Sequence, residues 1–220
     1  MNRLALFDCD GTLVDSGASI HRALADSFGR NGHDVPAPAD AQRVIGLSLT
    51  EAMAALLPDH APDDHQGMAE EYKKSFIAMR AAGEVEEPLY DGILELLDAL
   101  EADGWLLGVA TGKSDRGLRH CLEAHGLADR FVSLQTADRH PSKPDPAMAL
   151  QAIAEAGAAP ATTFVIGDTS YDMMMAANAG AKAIGVAWGY HDDAELLAAG
   201  ALGVAEHPRD IMRLIEGDGG

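Results

Sequence analysis

The first residues of the chain form a short apolar run that ends in two carboxylates. Residues 4–8 predict a strand, and Asp8 and Asp10 stand at its end. Because side chains alternate along a strand, Asp8 and Asp10 point to one side and Cys9 points to the other. Two carboxylates directed at one place repel each other, and each favours its protonated form. A site that keeps both carboxylates usually holds a cation or divides acid and base roles between them.

From about residue 88 onward, short apolar runs alternate with helical patterns. The predicted strands are Leu106–Ala110, Phe131–Leu134, Phe164–Gly167 and Ala183–Ala187, and the predicted helices are 91–103, 114–125, 146–157, 171–179, 192–199 and 208–216. Leu94, Leu97 and Leu100 give the first of these helices an apolar stripe. Together with strand 4–8, the alternation predicts an α/β fold, a doubly wound parallel sheet with helices on both faces.

Residues 17 to about 87 interrupt this alternation. They contain no good strand, and their patterns predict helices over 17–31, 48–57 and 63–82. We therefore predict two domains, an α/β core and a helical insertion after the first strand; the core comprises 1–16 and 88–220, and the insertion 17–87. The hinges are expected near 15–17 and 86–90, and residues 217–220 are expected to fray.

Composition and charge restrict the class of partner. The 220 residues include 16 Lys and Arg against 35 Asp and Glu, a formal net charge of −19. An acidic surface of this kind argues against nucleic acid and anionic membranes as partners. Cys9 and Cys121 show neither a disulfide pattern nor zinc spacing, which fits a reducing cytoplasm. No stretch predicts a signal peptide or a membrane span, so we expect a cytoplasmic protein, monomeric or homodimeric.

Polar residues follow the ends of several predicted strands. They are Asp8 and Asp10 after the first strand, Thr111, Gly112 and Lys113 after the second, and Asp168 and Asp172 after residues 164–167. In open parallel sheets, ligands bind outside the carboxyl ends of the strands, where these groups converge. Lys143 joins them from a proline-rich loop before a helix. Taken alone, Asp168 fits a helix N-cap and Lys143 or Lys113 a surface charge; the joint pattern favours a site.

This ordered set of motifs resembles the haloacid dehalogenase-like phosphatase superfamily. The shared elements are Asp-x-Asp-Gly-Thr after the first strand, a Thr after the second, a Lys before a helix and a Gly-Asp-x-x-x-Asp motif at residues 167–172. They run in the family's order across nearly the whole chain. The helical insertion resembles the cap of the subgroup that contains phosphoglycolate phosphatases and β-phosphoglucomutases. The resemblance implies a Rossmann-like core with an inserted helical cap.

The resemblance also implies a metal-assisted nucleophile. Asp8 would attack phosphorus and form an aspartyl-phosphate. Asp8, the backbone carbonyl of Asp10 and Asp168 would bind a divalent cation, and oxygen-only ligation suits Mg²⁺. Asp172, one helical turn beyond Asp168, would be a further acidic residue close to the cation.

The remaining motif residues are implied to handle protons and phosphate. Asp10 would act as general acid for the leaving group and then as general base for water. Lys143 would bind the phosphate and reduce repulsion around the nucleophile. Thr111 and the N–H of Gly112 would hold phosphate oxygens. Arg43, in a segment that resembles an active-site-facing loop of related phosphatases, is a candidate contact for an anionic part of the substrate.

The predicted function is Mg²⁺-dependent hydrolysis of a small phosphorylated metabolite, with phosphoglycolate as the first expectation for the substrate. A β-phosphoglucomutase-like mutase and a pyrophosphatase would use the same core, and both stay open. A dehalogenase of this superfamily would lack the second aspartate, which this chain has as Asp10, so that activity is not expected. A phosphate-accepting receiver domain is a switch and not an enzyme, but its acceptor lies on a middle strand and it has no helical insertion.

Overall fold

A computed structural model of the chain describes residues 1–217, so most of the expected fraying at 217–220 lies outside the described residues. The strands are Asn2–Phe7 (β1), Leu106–Thr111 (β2), Phe131–Thr136 (β3), Ala158–Gly167 (β4), Lys182–Val186 (β5) and Val204–Ala205 (β6). The helices are Gly17–Arg30 (α1), Pro38–Arg43 (α2), Leu49–Leu56 (α3), Pro62–Ala81 (α4), Ile93–Ala102 (α5), Asp115–Ala124 (α6), Ala147–Glu155 (α7), Ser170–Ala179 (α8), Asp193–Ala198 (α9) and Pro208–Gly217 (α10).

Within these residues the strands form one parallel sheet in the order β3-β2-β1-β4-β5-β6. The predicted doubly wound α/β fold is therefore confirmed. The order reverses at β1, which lies between β2 and β4. Phe7, the last residue of β1, is level with Val109 of β2 and Ile166 of β4. The residues that follow these strands consequently emerge at the same edge of the sheet, beside the switch point where ligands bind in such folds.

Two hydrophobic clusters cover the two faces of the sheet. Ala5 and Phe7 belong to one cluster, whereas Leu4 and Leu6 belong to the other, as alternation along a strand requires. Cys9 is buried in the first cluster, and its Sγ lies 3.9 Å from the Sγ of Cys121. Both cysteines are free thiols.

The helices α1–α4 follow β1 and form a helical insertion with a hydrophobic cluster of its own, which includes Phe28, Met53 and Tyr72. The two chain segments that join the insertion to the sheet run side by side. The N–H of Asp15 donates to the carbonyl of Pro88 at 2.8 Å. The division into domains at residues 17 and 87 stays a prediction. Across residues 1–217, no helix combines the length and the apolar composition that crossing a bilayer requires.

Four local features differ from the prediction, and the first is the start of β4, which lies at Ala158 and not at Phe164. The strand β6 has two residues and is too short to produce a readable pattern. The helix α2 has six residues and was not predicted; it begins at Pro38, and proline is favourable at the first helical turn. Leu94 was wrongly placed in the apolar stripe of α5, since its side chain is 44% exposed. The buried face of α5 is formed by Ile93, Leu96, Leu97 and Leu100.

Leu97 and Leu94 offer a matched test of this core. Leu97 is fully buried, so Leu97→Ala leaves a cavity and should lower the free energy of unfolding by about 2–5 kcal/mol. Leu94→Ala on the same helix should change it by less than about 1 kcal/mol, as exposed substitutions usually do. Urea denaturation measures both. Equal losses for the two variants would contradict the observed face of α5.

Candidate active site

Three aspartates meet at the carboxyl edge of the sheet. Asp8 follows β1, Asp168 follows β4, and Asp172 lies in the first turn of α8. One carboxylate oxygen from each of them lies within 4.8 Å of the others. All three side chains are at most 1% exposed. The parallel register therefore brings together carboxylates that are separated by more than 150 positions in the chain.

Lys143 supplies the positive charge at the centre of this cluster. Its Nζ lies 3.0 Å from Oδ1 of Asp8 and 2.6 Å from Oδ1 of Asp172. Burial by itself lowers the pKa of Lys143, but the charges of Asp172 and Asp8 outweigh it, so the pKa is raised above its usual value. Lys143 thus stays protonated, and one ammonium group faces two carboxylates in a buried site.

Asp8 has one carboxylate oxygen that accepts no hydrogen bond. Its Oδ1 accepts a hydrogen bond from the N–H of Cys9 at 2.6 Å, whereas its Oδ2 is buried and has no hydrogen-bond partner. Burial raises the pKa of Asp8 to about 7, with the charge of Lys143 acting in the opposite direction and those of Asp172 and Asp10 adding to the rise. A buried acceptor without a partner is costly, so Oδ2 is the atom of this site that most needs a ligand.

Asp168 is held rigidly from two sides. Its Oδ1 accepts from Oγ1 of Thr12 at 2.9 Å, and its Oδ2 accepts from the N–H of Tyr190 at 3.0 Å. A Cβ at Gly11 or at Gly189 would overlap Asp168, and Gly11 also has a φ of 81°, which favours glycine. These two glycines leave the room that the carboxylate needs.

The N-terminus of α8 positions Asp172. Thr169 caps the helix, and its N–H and hydroxyl both donate to Oδ2 of Asp172, at 3.2 and 2.6 Å. The other oxygen of Asp172 faces Lys143. A capping box and an ion pair therefore share one side chain. Asp168 itself is not the cap residue, which answers the open N-cap alternative at that position.

The donor set fits a divalent cation. Three carboxylates face one lysine, so negative charge is in excess, and desolvation with the neighbouring aspartates raises the pKa of Asp168 well above its usual value. The oxygen-only donors of this cluster match the preference of a hard cation such as Mg²⁺.

Asp10 belongs to a second, separate network of charges. Its Oδ1 accepts a hydrogen bond from Oγ of Ser16 and lies 2.8 Å from Nζ of Lys113. Lys113 also lies 2.7 Å from Glu87, which in turn pairs at 2.8 Å with Arg80 of α4. The sequence motifs pointed to Lys113 only weakly, and they missed Ser16, Glu87 and Arg80. These three carry no motif spacing that could have identified them.

The other predicted phosphate ligands lie around the insertion. Thr111 is buried at the end of β2, and its Oγ1 accepts from the N–H of Lys113 at 3.3 Å. Gly112 lies directly under the insertion, since a Cβ there would overlap the carbonyl of Leu47. Arg43 is exposed, and its Nη2 lies 3.0 Å from Oε1 of Glu195 on α9. The Arg43 guanidinium therefore pairs with α9, and no contact among the described residues joins it to the aspartate cluster.

Lys143→Met should destabilise the protein strongly, because Asp8 and Asp172 would lose their buried counter-ion. We expect a loss of about 3–5 kcal/mol in the free energy of unfolding, measured with urea at pH 8 in the presence of a chelator. Lys74 is paired with Glu71 on the surface of α4, and Lys74→Met should cost about 1 kcal/mol or less. A Lys143→Met variant as stable as the wild type would contradict the ion-pair geometry.

Comparisons with known proteins place the chain in a family. The family described as "Haloacid dehalogenase-like hydrolase" matches residues 5–186. The "Probable phosphatase IndB" of Dickeya dadantii is 35% identical over 205 residues, 90% of this chain and 87% of that protein. The "N-acetylmuramic acid 6-phosphate phosphatase" of Pseudomonas aeruginosa is 31% identical over 97% of this chain and 95% of its own length.

Two further matches extend the likeness. The "Phosphoglycolate phosphatase" of Agrobacterium fabrum is 31% identical over 87% of this chain and 83% of its own length. The crystal structure of "a predicted phosphatase" from Clostridium acetobutylicum is 25% identical, covers 99% of both chains and superposes with a TM-score of 0.88. The family match also removes the receiver-domain alternative. The chain belongs to the haloacid dehalogenase-like hydrolase family, as its ordered motifs predict.

Proposed function

We propose that this protein is a Mg²⁺-dependent phosphatase that cleaves phosphoric monoesters through an aspartyl-phosphate on Asp8. The observation that supports this proposal most directly is the partnerless Oδ2 of Asp8, buried beside Lys143 at the carboxyl end of β1. An ionised oxygen there is a nucleophile without a competing hydrogen bond. The relatives of this chain that are named as phosphatases support the same reaction class.

Asp8, the backbone carbonyl of Asp10 and Asp168 would hold the cation, with Asp172 and Lys143 next to them. Bound Mg²⁺ would offset the repulsion between the attacking carboxylate and the phosphoryl oxygens. Lys143 adds a fixed positive charge beside Asp8. Because Asp168 is held by Thr12 and by the N–H of Tyr190, it is already oriented before a cation or a substrate arrives.

In the first half-reaction, Oδ2 of Asp8 attacks phosphorus, and the ester P–O bond breaks as the new P–O bond forms. Asp10 gives its proton to the departing oxygen. Ser16 and Lys113 fix the position of the Asp10 carboxyl group. Thr111 and the N–H of Gly112 would hold the transferred phosphoryl oxygens from the end of β2.

In the second half-reaction, Asp10 takes a proton from a water molecule, and the oxygen of that water attacks the phosphorus of the aspartyl-phosphate. The bond to Asp8 breaks, inorganic phosphate leaves, and the Asp8 carboxylate is restored. The same residue therefore serves as acid and then as base. The separate partners of Asp8 and Asp10 support this division, since Lys143 contacts the former and Lys113 the latter.

We further propose a small phosphorylated metabolite as the substrate and the cytoplasm as the location. The two free, buried thiols support the location. Phosphoglycolate stays a prediction. Two relatives of equal identity are named for very different substrates, a two-carbon acid and an amino sugar, so overall similarity does not select the substrate.

Asp8→Asn should abolish steady turnover of a generic aryl phosphate, because the amide is not a nucleophile. Phosphate release in the presence of Mg²⁺ measures this, and circular dichroism checks that the fold is kept. Asp129→Asn, an exposed position in the turn before β3, is the matched control and should retain activity. Near-normal turnover by Asp8→Asn would refute the aspartyl-phosphate mechanism.

Removal of divalent cations should stop turnover, and added Mg²⁺ should restore it. In Asp168→Asn, half-maximal restoration should need on the order of tenfold more Mg²⁺ or above, because one ligand is weakened. Mg²⁺ should also raise the Tm of the wild type by binding only the folded state. Full activity after exhaustive chelation would rule out the proposed cofactor.

A further inference from the structure

A large cavity lies between the helical insertion and the carboxyl edge of the sheet. Its volume is about 490 Å³. This value falls in the range of roughly 300–1,000 Å³ that is typical of pockets enclosing drug-sized ligands. Its walls are predominantly apolar and come mostly from the insertion, including Leu24, Leu49, Met53, Tyr72, Phe76 and Ile77.

The cavity extends to Asp10 at its inner end. Asp10 lines it, whereas Asp8 and Lys143 are not part of its wall. In the proposed reaction, Asp10 protonates the departing oxygen, so the group attached to that oxygen extends from Asp10 into this space. The Phe76 ring lies close by, with Nζ of Lys113 6.0 Å from its centroid and that same Nζ 2.8 Å from Asp10.

The basic groups of the inner wall already have carboxylate partners. Lys113 contacts Asp10 and Glu87, and Arg80 contacts Glu87. Burial by itself raises the pKa of Glu87, but these two cations outweigh it, so the pKa lies below its usual value and the carboxylate stays charged. Lys113 and Arg80 therefore stay paired with the Glu87 carboxylate at the inner end of the cavity, whether or not Asp10 carries a proton.

At the outer end, Lys73 is paired with Glu70 on the surface of α4. Among the cavity-lining residues that the structure describes, Arg116 is the remaining guanidinium, and it lies at the exposed rim on α6 with its Nε directed to His120 at 3.4 Å. A carboxylate held close to the phosphate, as in phosphoglycolate, would therefore meet no uncommitted cation in the interior. Its desolvation would be poorly compensated.

We propose that the alcohol part of the substrate is a bulky, uncharged and mainly apolar group, ring-containing in shape, which packs on Phe76 and Tyr72 in this cavity. This inference rests on the proposed function and specifies its substrate class. Phe76 and Tyr72 form a tilted aromatic pair with centroids 5.8 Å apart, which offers a surface for a flat ring. A two-carbon acid would leave most of the cavity unfilled, and a hexose would bring hydroxyl groups to walls with few polar partners.

The test compares phosphate esters of primary alcohols, so that leaving-group reactivity stays similar. The esters are 2-(1-naphthyl)ethyl phosphate, ethyl phosphate, phosphoglycolate and glucose 6-phosphate. We expect kcat/KM for the naphthylethyl ester to exceed each of the others by about tenfold or more, because burying the ring removes apolar surface from water. An equal or higher value for phosphoglycolate or glucose 6-phosphate would overturn the proposal.

A variant pair ties the preference to the cavity. Phe76→Ala should reduce the ratio of kcat/KM between naphthylethyl phosphate and ethyl phosphate by about fivefold or more, since the ring loses its main contact. Leu150→Ala removes the same kind of apolar group from the exposed side of α7, outside the cavity, and should leave the ratio unchanged. An unchanged ratio in Phe76→Ala would reject the assigned contact.

A binding measurement separates this inference from the proposed function. The corresponding naphthylethyl and ethyl phosphonates, which cannot be hydrolysed at the C–P bond, are titrated into the wild-type protein with Mg²⁺ by calorimetry. Tighter binding of the naphthylethyl phosphonate without turnover of any ester would refute the phosphatase reaction and support the cavity assignment. Turnover of all esters, with no preference in either assay, would support the phosphatase reaction and refute the cavity assignment.

Discussion

The burial of one lysine among three aspartates is the constraint on which the rest of this structure depends. Lys143 contacts Asp8 and Asp172 in a site where each side chain is at most 1% exposed. Removing charges from water is costly, and close pairing is what compensates for it. The loop before α7, the capped start of α8 and the end of β1 must all be in place for that pairing. The site is thereby tied to the integrity of the sheet edge.

A second lysine keeps the two aspartates of the first motif chemically distinct. Asp8 faces Lys143 inside the core, whereas Asp10 faces Lys113, which is linked through Glu87 to Arg80 on the insertion. Asp8, the proposed nucleophile, is therefore anchored to the core alone, and Asp10, the proposed proton-transfer group, is anchored to both parts of the protein. In the proposed reaction, proton transfer and selection of the leaving group are consequently coupled at Asp10, where the apolar cavity begins.

Much of the fold was predictable because its signals are local. The carboxyl ends of β1, β2 and β4 were placed within about a residue, and the polar groups behind them converge as parallel strands require. Local signals failed where an element was very short, as in β6, or where leucine spacing alone did not identify the buried face of a helix, as for Leu94. The spacing of Leu94, Leu97 and Leu100 fits a helix, but the side that packs on the sheet includes Ile93 and Leu96 instead.

The sequence by itself determined which residues are candidates for the chemistry and the order in which they occur: Asp8, Asp10, Thr111, Lys143 and Asp168 stand in motifs that a strand–helix alternation brings to one edge. Only the tertiary structure decided which lysine pairs with which carboxylate, that Arg43 joins Glu195 on the outer face, and that the space beside Asp10 is apolar. The reason is physical. Ion pairing and desolvation depend on distances and burial between segments far apart in the chain, and no local pattern encodes those distances.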